Sequence, residues 1–189
     1  MAGTMRRALV PVADGTEEIE AVTIIDVLRR AGVEVTVASA MPALKVTASR
    51  GVVIEADCLL DECGNGPWDL VALPGGMPGA EHLAGSELLM GIVREQLAGD
   101  RWLGAICAAP VVVLGRHGLL GDRRATCHSG FRNELRGLAA AVSDDVVVRD
   151  GNLVTSQAPG TAMAFALELV SCLLGGDKRR AVAGPMAAT

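Results

Sequence analysis

The chain has 189 residues and a mass of 19.4 kDa, enough for one well-buried domain, 1–189, and short for two. Half of the residues are apolar and 21% are charged, the balance of a folded globular protein rather than a disordered one. With 17 Lys plus Arg against 22 Asp plus Glu, a net charge of −5 and 2% aromatic residues, a general phosphate-neutralising surface and a base-stacking platform are both excluded, so no stable nucleic-acid binding is expected.

Mean hydropathy is +0.38, but the uncharged stretches 102–115 and 151–167 are too short for the roughly 20 apolar residues of a membrane span and are broken by Pro110 and Pro159. No membrane association is expected. Met5-Arg6-Arg7 runs directly into a strand-like segment, without the apolar core and small-residue cleavage site of a signal peptide. The cysteines (Cys58, Cys63, Cys107, Cys127 and Cys172) are odd in number and lack paired spacing. Reduced thiols and a cytoplasmic location are expected.

Apolar runs alternate with helical patterns, which predicts parallel strands covered by helices on both faces. A buried strand over 7–13 leads into the turn Asp14-Gly15-Thr16, where Thr16 or Asp14 is placed to cap a helix over 17–31. A strand over 33–38 follows, then a short hairpin, 44–47 with 51–54, around Ser49-Arg50. The run 69–73 reads as a strand ended by Pro74-Gly75-Gly76, and 86–98 as a helix. A strand over 102–106 stops at Cys107, and a helix is expected just beyond it, ending near 115–118. Short strands at 124–127, 145–148 and 153–155 and a helix over 161–174 complete a three-layer α/β sandwich. Ligands bind such open sheets at the carboxyl ends of the strands.

Gly104-Ala105-Ile106-Cys107-Ala108-Ala109-Pro110 carries the strongest chemical signal. A cysteine stands at a strand-to-helix junction with alanines two residues away on either side, the small-residue pattern that a sharp nucleophile elbow requires. Helix amides beside the sulfur would stabilise a thiolate and lower its pKa. The alternative is a small buried hydrophobe, as free cysteines often are. Gly75-Gly76 lets backbone amides approach a ligand closely, and the Ala108 amide can join them as an oxyanion site. Glu20 shares a helix face with Ile24, Val27 and Ala31, where a carboxyl resists ionisation, but Glu17 heads a similar row through Ala21, Ile24 and Leu28. His128 follows a short strand, whereas His82 and His117 read as surface residues. No HExxH, CxxC, P-loop or G-x-G-x-x-G pattern is present, so neither a metal nor a nucleotide cofactor is expected.

The segments RRALVPVADGTEEIE, VLRRAGVEVTVA, DLVALPGGMPGAEHL, AICAAP and LVTSQAPGT together resemble the ThiJ/PfpI superfamily, and within it the Parkinsonism-associated protein deglycase branch. The resemblance spans nearly the whole chain. It implies a flavodoxin-like fold and a homodimer. Cys107 matches the elbow nucleophile, Glu20 the protonated glutamate beside it, and His128 the neighbouring histidine. Gly75, Gly76 and Ala108 match the amides facing the sulfur; Arg30, Arg50 and Pro159 match positions approaching the pocket from the dimer interface. The histidine that follows the nucleophile in the protease branch is Ala108 here, so the resemblance does not extend to peptidase activity. The peripheral cysteines of vertebrate members fall at Ala48 and Glu55.

The activity implied is a cofactor-free, glutathione-independent glyoxalase or deglycase acting on methylglyoxal, glyoxal and their early adducts, with protection against carbonyl and oxidative stress. The alternative is a redox sensor with chaperone-like protection, in which Cys107 oxidises to sulfinic acid. A glutamine amidotransferase would need a later His-x-Glu pair, which is absent.

Overall fold

A computed structural model describes residues 5–63 and 66–188. The strands are β1 (Arg7–Val12), β2 (Glu34–Ser39), β3 (Lys45–Thr47), β4 (Val53–Glu55), β5 (Cys58–Leu59), β6 (Leu70–Leu73), β7 (Trp102–Ile106), β8 (Arg124–Ala125), β9 (Ala141–Val142), β10 (Val147–Asp150) and β11 (Leu153–Ser156). The helices are α1 (Glu18–Arg30), α2 (Gly79–Gly85), α3 (Glu87–Ala98), α4 (Arg132–Leu135), α5 (Ala162–Leu174) and α6 (Gly176–Ala183).

Seven strands form one sheet in the order β10-β11-β7-β6-β1-β2-β5. Every pairing in it is parallel except the edge pair β10–β11. The central order β2-β1-β6-β7-β11 is the flavodoxin-like doubly wound arrangement, with its switch point between β1 and β6. The hairpin β3–β4 and the pair β8–β9 stand outside this sheet.

The alternation of side chains along each strand builds the three layers. Ala8, Val10 and Val12 of β1, Leu70 and Ala72 of β6, and Ile106 of β7 pack into one cluster with α1 and α5. Leu9, Val71, Leu73, Leu103 and Ala105 point the other way, into a second cluster with α2, α3 and Val111 to Leu114. Because both faces are covered, the central strands read as continuous apolar runs.

Three local features differ from the sequence expectation. Helix α1 is capped by Glu17, whose Oε2 accepts from the Glu20 amide at 2.8 Å. Thr16 Oγ1 accepts from the Ala13 amide and Asp14 Oδ1 from the Thr47 amide instead. The segment after Cys107 is not a regular α-helix: a wide π turn spans Pro110–Leu114 and a tight 3-10 turn spans Gly115–His117. Pro110 lacks an amide donor, and three consecutive valines crowd the turn. The short elements α2, α4, β5 and β9 also lie outside the predicted set, because each is too brief to show a full hydrophobic period.

Gly104 lets α5 lie against the sheet: a Cβ there would stand 2.9 Å from Phe165 Cζ and 3.0 Å from Leu169 Cδ2. Gly104→Ala should destabilise the fold by about 1–3 kcal/mol, the usual cost of overpacking a core, measured as a lower urea midpoint with unchanged slope.

Candidate active site

Cys107 ends β7 with φ +66°, a left-handed conformation that costs a non-glycine residue about 1–3 kcal/mol. The surroundings enforce it. The Cys107 amide donates to the Ser156 carbonyl at 3.1 Å, and its carbonyl accepts from the His128 amide at 2.9 Å. Gly75 backs the turn so closely that a Cβ would lie 2.6 Å from Cys107 Cβ and 2.9 Å from the Ile106 carbonyl oxygen. The cysteine is 9% exposed and opens into a cavity of about 320 Å³.

The run Glu17-Glu18-Ile19-Glu20 divides three carboxyls among three tasks. Glu17 caps α1 and lines the cavity. Glu18 accepts from Ser49 Oγ at 2.7 Å and from the Arg50 amide at 2.8 Å, which ties the β3–β4 turn to the mouth of the cavity. Glu20 is fully buried; its Oε2 accepts from the Gly75 amide at 2.8 Å, and its carboxyl interacts with the Cys107 thiol. Glu20 Oε1 makes no well-formed hydrogen bond. A buried, unsatisfied carboxylate oxygen is costly, and a proton on Oε1 relieves that cost.

Burial, assisted by the charge of Glu17, pushes the Glu20 carboxyl up to about 7. Burial also pushes the Cys107 thiol up to about 12, the Glu20 charge adds to this, and the amides of Gly76 and Ala108 oppose it. This corrects the expectation of an independently acidified thiol, because burial and the neighbouring carboxyl outweigh the amides. The two groups titrate as one unit that releases one proton near 7 and holds the other to about 12. A thiolate arises inside the unit when the remaining proton sits on Glu20.

Comparison with known proteins gives the family. The DJ-1/PfpI family model matches residues 6–172. The chain belongs to the DJ-1/PfpI family. It is 44% identical over 98% of its length to protein DJ-1 homolog B of Arabidopsis thaliana, of which it covers 42%. It is 40% identical over 94% of its length to Drosophila melanogaster protein dj-1beta, covering 95% of that protein. The chain spans less than half the length of the Arabidopsis homologues B and A, 42% and 45%. The crystal structure of Drosophila DJ-1beta superposes with a TM-score of 0.94 at 38% identity, covering 98% of this chain and all of that one.

Around Cys107 the structure gathers His128, Gly76, Ala108, Arg50 and Pro159, all lining the cavity, together with Glu17, Ser49, Met77 and Phe131. In the sequence Glu17 stood only as an alternative to Glu20 and Ser49 only as part of the hairpin turn; Met77 and Phe131 went unnoticed, because no periodicity marks them. One placement differs from expectation. The Gly75 amide is engaged by Glu20, which leaves Gly76 and Ala108 as the amides facing the sulfur. Arg30 stands in the last turn of α1, exposed and paired with Asp26 at 2.6 Å, about 15 Å along the helix from Glu20. Within its own chain it does not line the cavity.

His128 Nδ1 accepts from the Gly130 amide at 3.1 Å, so a neutral ring carries its proton on Nε2 and is a donor there. His82 and His117 are exposed. Among the described residues, no group of three or more His, Cys, Asp or Glu could hold a metal ion, and no helix is long and apolar enough to cross a membrane.

Alkylation of Cys107 by iodoacetamide should rise with pH through an apparent midpoint near 7 and then plateau, because one proton leaves the pair there and the reactive thiolate forms by internal transfer. Glu20→Gln should abolish that step. A wild-type rise only above pH 9 would contradict the shared proton.

Proposed function

We propose that this protein is a cysteine-dependent, glutathione-independent glyoxalase, with deglycase activity on early adducts of the same aldehydes. The observation that carries this reading is the coupled Cys107–Glu20 pair at the base of a small cavity, with the Gly76 and Ala108 amides directed at the sulfur. A relative from Caenorhabditis elegans, 34% identical over 94% of this chain, is named glutathione-independent glyoxalase DJR-1.2.

In the proposed reaction, the thiol proton passes to Glu20 and the sulfur attacks the aldehyde carbon of methylglyoxal. The Gly76 and Ala108 amides hold the oxygen as charge develops on it. Glu20 returns its proton to that oxygen, giving a hemithioacetal. Its carboxylate then takes the proton from the former aldehyde carbon and delivers it to the adjacent carbonyl carbon. The Nε2–H of His128 donates to the neighbouring oxygen as it becomes a hydroxyl, and the hydroxyl on the sulfur-bearing carbon returns a proton to His128 as that carbon becomes the thioester carbonyl. The product is a thioester of a 2-hydroxy acid; water cleaves it to lactate and restores the thiol. The net reaction is aldehyde plus water to hydroxy acid, with no external oxidant.

Cys107→Ala should lower methylglyoxal turnover, followed as lactate formation, by at least about 100-fold, as expected on removing a nucleophile. Wild-type activity in that variant would exclude the mechanism.

The redox reading draws on the same pair. A protonated Glu20 can donate to a sulfinate oxygen on Cys107, and a similar structure, 39% identical with a TM-score of 0.93, is titled Toxoplasma gondii DJ-1, oxidized. Protection from carbonyl and oxidative stress follows from either chemistry, and a cytoplasmic site of action suits the free thiols.

We also propose a homodimer built on the outer face of α1 and the β3–β4 hairpin. Ile19, Val22 and Val53 are 56%, 51% and 60% exposed, and the Glu18 bonds to Ser49 and Arg50 place the two elements side by side. Arg30 follows Val22 at helical spacing on the same face. Analytical ultracentrifugation should give twice the monomer mass for the wild type and the monomer mass for Val22→Asp/Val53→Asp.

A further inference from the structure

Two thiols lie apart from the site described above. Cys58 begins β5 at the edge of the large sheet. Cys63 follows a turn closed by the Glu62 amide on the Leu59 carbonyl at 3.0 Å. Its Sγ donates back to the Leu60 carbonyl at 3.1 Å, and the Cys58 and Cys63 thiols lie close enough to influence each other's ionisation. Both side chains are half-buried and pack against the same apolar cluster. Four strand spacings, about 19 Å, separate β5 from β7, so neither thiol can reach Cys107.

We propose that Cys58 and Cys63 form a thiol–disulfide couple that a peroxide oxidises to an intrachain disulfide, independently of Cys107. Cys58 and Cys63 flank the closed turn Leu59–Glu62 and pack on the same apolar cluster, so a small approach brings their sulfurs to a bond of about 2.0 Å. The turn between them already brings the chain back on itself, so oxidation needs no rearrangement of the sheet.

The chemistry balances with peroxide as the only co-reactant. The Cys63 thiolate attacks one peroxide oxygen, breaking the O–O bond, to give a sulfenic acid and hydroxide, which takes up the proton the thiol released and leaves as water. Cys58 sulfur then attacks the sulfenic sulfur and displaces a second water. The two thiols lose two electrons in all, and the peroxide gains them. Burial pushes both thiols up, Cys58 to about 11. The Cys58 thiol and the charge of Arg7 act in the opposite direction on Cys63, which makes Cys63 the sulfur that reacts first. Asp57 and Glu62 beside Cys58 and Asp61 beside Cys63 disfavour the thiolates, so the couple responds to sustained peroxide rather than to trace amounts.

The test uses the intact protein treated with hydrogen peroxide, then denatured, alkylated and digested with trypsin. Both cysteines fall in one peptide, 51–94, between Arg50 and Arg94. The expected result is loss of both alkylation sites and a mass about 2 Da below the unalkylated reduced peptide, the two hydrogens removed, reversed by dithiothreitol. In Cys63→Ser, Cys58 should remain alkylatable under the same treatment. A peptide that stays fully alkylated while Cys107 oxidises would overturn the couple. So would a sulfinic acid on either cysteine alone, about 32 Da heavier, or oxidation of Cys58 at the wild-type rate in Cys63→Ser. Because the readout is confined to this peptide, it is separate from any failure of the glyoxalase reading.

Discussion

The buried carboxyl of Glu20 is the interaction on which the site depends. It arises in the first turn of α1, receives the Gly75 amide on one oxygen and interacts with the Cys107 thiol. One side chain thereby joins a helix, the loop after β6 and the elbow after β7. A carboxyl in this position cannot ionise cheaply, since burial penalises its charge and only one amide compensates. Retaining a proton on the Glu20–Cys107 unit relieves that cost, and the same proton makes the sulfur's chemistry possible.

The fold supplies the remaining constraints. A doubly wound sheet directs the ends of β6 and β7 to the same side, which brings Gly75, Gly76 and Cys107 together from segments about 30 residues apart in the chain. The glycines are needed there because the loop backbone presses against the cysteine and against the start of α1: a Cβ on Gly76 would lie 2.4 Å from the Glu17 amide. The strained backbone of Cys107 is held by neighbouring strand carbonyls and amides rather than by its own preference. Rigid elements thus carry the sulfur, while the turn bearing Ser49 and Arg50 closes one side of the cavity through Glu18.

Much of this was legible in the sequence. The runs RALVPV and LVAL read as buried strands because parallel strands covered on both faces need no polar alternation. The β7 limits coincide with the apolar run Trp102–Ile106, and the small residues around Cys107 marked the elbow. The short elements were not legible, nor was the π turn after Cys107, where Pro110 and three valines override a helical pattern. The distribution of duties among Glu17, Glu18 and Glu20 was also hidden. Helical spacing places Glu17 and Glu20 on comparable rows, and only the position of the β6–α2 loop decides which carboxyl receives the Gly75 amide.

The sequence by itself determined the layer order and the presence of a cysteine at a strand end, because hydrophobic periodicity and small-residue spacing are local and survive without a partner. Membership of the DJ-1/PfpI family was likewise visible in the succession of its motifs. Only the tertiary structure decided the state of that cysteine. The sulfur's surroundings come from α1, the loop after β6 and the Ala108 amide together, and burial with a facing carboxyl outweighs the amides that a local reading emphasises. It was also the tertiary structure that set Cys58 and Cys63 on either side of one turn, since contact between side chains depends on how the chain returns on itself and not on the residues alone.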